Sequence, residues 1–114
     1  YPPSDDYPEG FALNLTDSII RARYRYSPEL PELMEPGRVY EFRFPLYPTS
    51  NVFKKGHAIR VDISSSNFPR FDVNPNTGGP MGRERRVVVA HQKVFHDGEH
   101  PSHITLPVIS AREG

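Results

Sequence analysis

The sequence predicts an all-β fold. Thirteen prolines in 114 residues leave no uninterrupted window for an amphipathic helix of normal length, because proline removes a backbone donor and breaks the helix interior. Between the prolines, short segments alternate apolar and polar side chains with the period of two that is typical of half-buried strands. A hydrophobic content of 36% in a chain of this length indicates one compact domain, residues 1–114.

Five segments carry the strand prediction: residues 19–26, 39–46, 59–64, 85–97 and 104–108. The first, IIRARYRY, places its three arginines on one face and apolar or aromatic side chains on the other. The fourth is less regular, which indicates a bulge or burial on both faces. Five strands of this kind are typical of a β-sandwich or jelly roll.

Two connections are distinctive. Residues 27–37 (SPELPELMEPG) hold at most one helical turn and end in a Pro-Gly turn signal. Residues 59–79 (IRVDISSSNFPRFDVNPNTGG) pass from a strand into a long polar loop whose serines can bond to nearby backbone. Two phenylalanines in this loop indicate that it packs on its own core or on another domain.

The charge balance excludes several classes of partner. Fourteen Lys plus Arg match fourteen Asp plus Glu, so no net field attracts the chain to nucleic acid or to an anionic membrane. No stretch approaches the roughly 20 apolar residues that cross a bilayer, and YPPSDDYPEG at the start lacks the pattern of a signal peptide. With no cysteine the compartment stays open, and the cytoplasm is the favoured interpretation.

Four blocks resemble one protein family in the same order. They are LTDSIIRARYR (residues 15–25), PGRVYEFRFPLYPTSNVFKKGH (36–57), IRVDISSSNFPRFDVNPNTGG (59–79) and VFHDGEHPSHITLPVI (94–109). Together they resemble the C-terminal non-catalytic domain of the X-Pro dipeptidyl-peptidase and cocaine-esterase-like serine hydrolases. The resemblance covers residues 7–109 and depends most on the SSSNFPRF block.

This resemblance implies a jelly-roll β-sandwich of the galactose-binding-domain-like type. In the family such a domain follows an α/β-hydrolase domain and a helical cap and packs against them, helping to shape the substrate cleft. Members cut esters or amides, as dipeptidyl-peptidases or acylases, through a Ser, Asp and His triad. This sequence contains no Gly-x-Ser-x-Gly elbow, so no catalytic residue is assigned to it and no cofactor is expected.

The resemblance also implies that the chain is the C-terminal part of a jelly roll that begins several strands before residue 1. A partial jelly roll would expose strand edges and part of its inner face to water. We therefore expect it to close its sheets by pairing with a second copy or with strands of a partner chain. The catalytic domain of the same parent polypeptide is the other expected partner.

The predicted contact loop with the catalytic domain contains Asn67, Phe68, Arg70 and Phe71. It offers two aromatic rings and a forked donor together, a combination common at contacts between domains. Internal packing of the same side chains is the alternative.

A basic ladder of Arg21, Arg23 and Arg25 could bind a carboxylate or phosphate. We favour a solvated face, or cross-strand pairing of these arginines with Glu41 or Asp62.

Four histidines lie close together in the sequence and raise the possibility of a zinc site: His91, His96, His100 and His103. In a strand, positions an odd number apart point to opposite faces, so we favour solvated or hydrogen-bonded histidines and predict no metal.

A self-contained Ser-His-Asp site would draw on the Asp97 beside His96 and on hydroxyls of the chain, which are Ser64, Ser65, Ser66 and Ser102. Adjacent residues rarely orient each other as a triad does. Loop hydroxyls without an oxyanion hole are more often turn formers, and we favour that role.

A free-standing ligand- or carbohydrate-binding module is the alternative function, because jelly rolls also host sites that stack sugars on exposed aromatic rings. The rings that would serve it are those of Tyr1, Tyr7, Tyr40 and Tyr47.

Overall fold

The computed structural model describes residues 1–109. Within that range its regular secondary structure is a 3-10 helix, Ala22–Tyr24, and an isolated antiparallel bridge between His96 and Pro101. Turns, bends and extended backbone make up the rest of these residues. The prediction of an all-β sandwich therefore stays a prediction.

Two compact units divide the chain, one formed by Tyr1–Ile63 and the other beginning at Ser64. The division falls within residues 59–79, where the sequence changes from strand-like alternation to the serine-rich loop. The prediction of a single domain is not tested by this division.

The start of the first unit folds back on itself. The Tyr1 amino group donates to the Phe11 carbonyl (2.9 Å), and the Phe11 amide donates to the Tyr1 carbonyl (3.2 Å). The two rings stack with centroids 4.3 Å apart and planes 3° apart. Gly10 permits this approach because its φ is +73° and a Cβ there would lie 2.4 Å from the Tyr1 carbonyl oxygen.

Hydrogen bonds also join distant parts of the first unit. The Thr16 hydroxyl donates to the Tyr47 carbonyl (2.6 Å), and the Tyr47 amide donates to the Asp17 carbonyl (3.2 Å). These bonds connect the first and second blocks of the sequence that resemble the hydrolase family.

The 3-10 helix lies inside residues 19–26, where the alternation predicts a strand. The Tyr24 amide donates to the Arg21 carbonyl (2.8 Å) and the Arg25 amide to the Ala22 carbonyl (3.3 Å). A strand satisfies its backbone only when a neighbour lies alongside it, whereas an i→i+3 turn satisfies it locally.

Apolar side chains remain exposed throughout the described range. No hydrophobic side chain among residues 1–109 is buried, and the alternating Ile59, Val61 and Ile63 are 54%, 55% and 66% exposed. Stable globular domains rarely leave this much apolar surface in contact with water.

Over residues 1–109, the structure has no helix with the length and apolar character that a membrane span requires.

Candidate functional site

The second unit begins with a serine turn. The Ser64 hydroxyl donates to the Ser66 carbonyl (2.7 Å), and the Ser66 hydroxyl accepts from the Phe68 amide (3.3 Å). Such short-range bonds from hydroxyl to backbone fix a turn without help from distant residues. The interpretation of these serines as turn formers is confirmed for Ser64 and Ser66.

The contact loop continues from that turn. The Phe71 amide donates to the Asn67 carbonyl (3.1 Å), which closes one tight turn around the intervening residues. Phe68 is 69% exposed at this turn, whereas Phe71 is half-buried. The Arg70 guanidinium carbon lies 5.6 Å from the centre of the Phe71 ring. The structure thus brings all four predicted contact residues together, with one phenylalanine directed outward.

The remainder of the SSSNFPRF-to-glycine block is tied to residue 88. The Val88 amide donates to the Pro75 carbonyl (2.9 Å), and the Asn76 side-chain amide donates to the Val88 carbonyl (3.1 Å). Asn76 has a φ of 56°, a left-handed conformation that asparagine tolerates better than most residues. Hydrogen bonds therefore order this loop at two places, at its serine turn and at Asn76.

Asp97 organises a tight turn near the C-terminal end of the described range. Its Oδ1 accepts from the Glu99 amide (3.0 Å) and the His100 amide (2.8 Å). The hydrogen bond from the His100 amide is the main reason that the pKa of Asp97 lies below its ordinary value of 3.8. The contacts of this carboxylate serve a turn rather than the orientation of His96.

The histidines make local contacts. His100 lies 3.5 Å from the Asp97 carboxylate through Nδ1, and its ring centre is 5.2 Å from that of Phe95. His103 Nδ1 lies 2.7 Å from the Pro101 carbonyl oxygen. No three His, Cys, Asp or Glu side chains within residues 1–109 form a group that could hold a metal ion.

A cluster of side chains around Arg25 in the first unit was not predicted from the sequence. The Arg25 side chain is only 1% exposed, and its guanidinium carbon lies 4.6 Å from the Tyr26 ring centre and 4.4 Å from that of Tyr40. Its Nη1 donates to the carbonyls of Ala22 (3.0 Å) and Glu32 (2.6 Å), and its Nη2 pairs with the Glu32 carboxylate (2.8 Å).

One polar atom of this cluster has no partner. Arg25 Nε is buried and makes no hydrogen bond. Both terminal nitrogens make hydrogen bonds, so the guanidinium is held in place although its Nε donor is unused. The sequence signal for the ion pair is the second glutamate of the PELPEL repeat, Glu32, seven residues after Arg25.

Within residues 1–109 neither Glu41 nor Asp62 pairs with the basic ladder, which was one of the two favoured interpretations, and the buried Arg25 departs from the other, a solvated face. Glu41 pairs with Arg43, and Asp62 pairs with Arg60 at 2.9 Å, in both cases with an arginine two residues away. All four side chains are largely exposed, so each pair contributes little to stability.

The four tyrosines considered for sugar stacking differ in availability. Tyr7 and Tyr47 are 54% and 49% exposed. Tyr1 stacks on Phe11, and the Tyr40 ring lies near two guanidinium groups. Stacking on a sugar needs a free ring face, which Tyr40 offers least.

Comparisons with known proteins place the chain in a family. Residues 4–105 match the family of X-Pro dipeptidyl-peptidase C-terminal non-catalytic domains. The chain is 47% identical over 107 residues to a cocaine esterase of Rhodococcus, a match that covers 92% of this chain and 19% of the esterase. Proteins of Mycobacterium bovis and Mycobacterium tuberculosis that are named provisionally as serine esterases are each 31% identical over 74 residues, covering 65% of this chain and 10% of theirs.

No solved structure matches the chain. The chain spans about a fifth of the cocaine esterase and a tenth of the mycobacterial proteins. The predicted family is confirmed: this chain belongs to the C-terminal non-catalytic domains of the X-Pro dipeptidyl-peptidase family.

Proposed function

We propose that this chain is the accessory domain of a serine hydrolase that cuts esters or amides, and that it packs on the catalytic domain and helps to shape its substrate cleft. The observation that carries the proposal is the 47% identity to a cocaine esterase over 92% of this chain, within a family of non-catalytic domains. Its fold in the complete polypeptide would be the jelly-roll β-sandwich that the sequence predicts.

Exposed apolar side chains support a packing role. A domain that stands alone buries its alternating apolar residues, yet Ile59, Val61 and Ile63 are all more than half exposed. The catalytic domain, or strands of a second copy, would cover such a surface and supply the missing backbone partners.

The contact loop supports the same role. Phe68 is exposed on a turn that local hydrogen bonds hold in place. Little conformational entropy of the backbone would therefore be lost when the ring enters a pocket. The Arg70 guanidinium lies over the Phe71 ring and adds a forked donor to the same loop.

A serine-directed covalent probe tests where the chemistry occurs. The complete polypeptide that contains this chain is treated with a fluorophosphonate, and mass spectrometry locates the modified serine. We expect the label on a serine outside residues 1–114 and hydrolysis of an activated ester that the label abolishes. A label on Ser64, Ser65, Ser66 or Ser102, or no hydrolysis by the complete polypeptide, would contradict the proposal.

A carbohydrate-binding module is the second candidate, because Tyr7 and Tyr47 are the more exposed of the four tyrosines although the Tyr7 ring also contacts Phe11. Calorimetry with a panel of oligosaccharides tests it. Heat of binding that the double variant Tyr7→Ala/Tyr47→Ala loses would support this candidate, and absence of binding would remove it.

A further inference from the structure

We infer that residues 27–37 form a docking element, here called the acidic knuckle, which seats in an apolar recess rimmed by basic side chains on the catalytic part of the same polypeptide. This inference rests on the proposed function, since it requires a catalytic part that the domain touches. It adds a second contact surface, in the first unit, to the predicted contact loop of the second.

The backbone of the acidic knuckle is fixed in the middle by Arg25. Arg25 Nη1 donates to the Glu32 carbonyl (2.6 Å), and the Glu32 amide donates to the Arg23 carbonyl (2.7 Å). The Arg25 side chain is 1% exposed, so the donor itself is largely shielded from water.

Both ends of the acidic knuckle are tied as well. The Ser27 hydroxyl accepts from the amides of Glu29 and Leu30, each at 3.2 Å. Near the other end the Glu35 amide donates to the Tyr40 hydroxyl (3.0 Å), and three prolines within residues 27–37 restrict the backbone further. A segment ordered before contact loses little conformational entropy when it docks.

This ordered backbone carries an uncovered apolar surface. Leu30, Leu33 and Met34 are 75%, 56% and 37% exposed. The repeat Pro-Glu-Leu-Pro-Glu-Leu places a glutamate directly before each leucine, so carboxylates accompany the apolar side chains. An apolar element of this kind fits a recess of matching apolar character.

The charge of the acidic knuckle specifies the rim of that recess. Residues 27–37 contain three glutamates and neither lysine nor arginine. Glu29 has no ionic partner within residues 1–109, and the paired Glu32 and Glu35 side chains remain 64% and 72% exposed. A carboxylate accepts up to four hydrogen bonds, so all three can receive donors from lysine or arginine of a partner.

The catalytic part of the polypeptide is the occupant that the family relation favours. In the related cocaine esterase the matched region is 19% of the protein, so most of such a polypeptide lies outside this domain and is covalently linked to it. Linkage raises the effective concentration of a contact, so a surface of modest size can stay docked.

Hydrogen exchange of the complete polypeptide tests the apolar contact. The double variant Leu30→Ser/Leu33→Ser is compared with Val52→Ser, which changes an 81% exposed apolar residue outside the acidic knuckle. We expect the double variant to speed exchange about tenfold or more in at least one segment outside residues 1–114, and Val52→Ser to leave that segment unchanged. Faster exchange confined to residues 1–114 would overturn the inference.

A charge reversal tests the basic rim. Glu29→Lys should speed exchange of that same outside segment, whereas Glu9→Lys, a matched reversal elsewhere in the first unit, should not. Equal effects of the two reversals, or no effect of either, would overturn the assigned rim.

The variant Phe68→Ala separates this inference from the proposed function. In one outcome Phe68→Ala alone speeds exchange outside residues 1–114, and the acidic-knuckle variants have no such effect. That result would support docking of the domain through the contact loop and reject the acidic knuckle as a docking surface. Unchanged outside exchange after proteolytic removal of the whole domain would instead reject the docking itself.

Discussion

Arg25 and Glu32 form an asymmetric ion pair: their side chains meet at 2.8 Å, yet the arginine is 1% exposed and the glutamate 64%. The arginine is enclosed by two tyrosine rings rather than by its anion. Cation–π contact and hydrogen bonds to carbonyls therefore hold it, and the carboxylate completes the charge balance from the solvent side. Arg25, at the end of the predicted first strand, thus binds the backbone of the acidic knuckle at Glu32.

Arg25→Lys should loosen the acidic knuckle. Lysine keeps the charge but lacks the planar fork that reaches the Ala22 carbonyl, the Glu32 carbonyl and the Glu32 carboxylate together. We expect exchange of the Glu32 and Glu35 amides in the complete polypeptide to rise by roughly 10- to 100-fold, equivalent to about 1.5–3 kcal/mol for hydrogen bonds to a charged group.

The matched control for that prediction is Arg43→Lys. Arg43 pairs with Glu41, but its side chain is 87% exposed. The free energy that protects the Glu32 and Glu35 amides from exchange should therefore change by no more than about 0.5 kcal/mol. Equal exchange rates of the Glu32 and Glu35 amides in the two variants would show that the burial of Arg25 does not stabilise the acidic knuckle.

The turn at Asp97 should respond to acid. Folding lowers the pKa of Asp97 below 3.8, so the stability it contributes is present above the unfolded value and is lost as the pH falls through the folded pKa. In NMR spectra we expect the His100 amide proton shift to titrate with a midpoint below 3.8, because that amide donates to the Asp97 carboxylate.

Asp97→Asn provides the control for this titration. Asparagine keeps an oxygen acceptor for the amides of Glu99 and His100 but has no proton to gain in this range. The His100 shift should then stay flat through the same acid range, and a midpoint at or above 3.8 in the parent would contradict the assignment.

The sequence predicted best what local chemistry determines. The serine turn followed from hydroxyls that bond within two residues, and Ser64 and Ser66 do so. The turn between Asn67 and Phe71 is local in the same way, whereas contact of this loop with the catalytic domain stays a prediction. The family could be recognised because its blocks fill nearly the whole chain.

Features that depend on distant residues escaped the sequence. A solvated face was one favoured interpretation of the basic ladder, whereas Arg25 is enclosed by the neighbouring Tyr26 ring and by that of Tyr40, fifteen positions away. Pairing of strands into a sheet likewise joins residues that are distant in the sequence. The five strands stay predictions. Glu41, one of the two carboxylates considered as partners of the ladder, pairs with Arg43, two residues along the chain.

Gly10→Ala should destabilise the start of the first unit. Its φ of +73° disfavours any residue with a Cβ, and that atom would lie 2.4 Å from the Tyr1 carbonyl oxygen. We expect a loss of about 1–3 kcal/mol, seen as faster exchange of the Phe11 amide, which bonds to Tyr1. Gly98→Ala is the control, since nothing lies within 4 Å of a Cβ there, and a similar effect at both sites would contradict the steric explanation.

The isolated 114-residue chain should associate with itself. Apolar side chains such as Val108 (84% exposed) and Ile63 (66%) lie in segments predicted as strands, and unpaired strand edges readily pair with another copy. Light scattering over a hundredfold concentration range should show the mean mass rising above that of the 13.0 kDa monomer. Ile63→Lys would place a charge on a predicted strand and should shift the distribution towards monomer, whereas Glu9→Lys should not. A single monomeric species throughout that range would show that the chain closes its own surface and needs no partner strand.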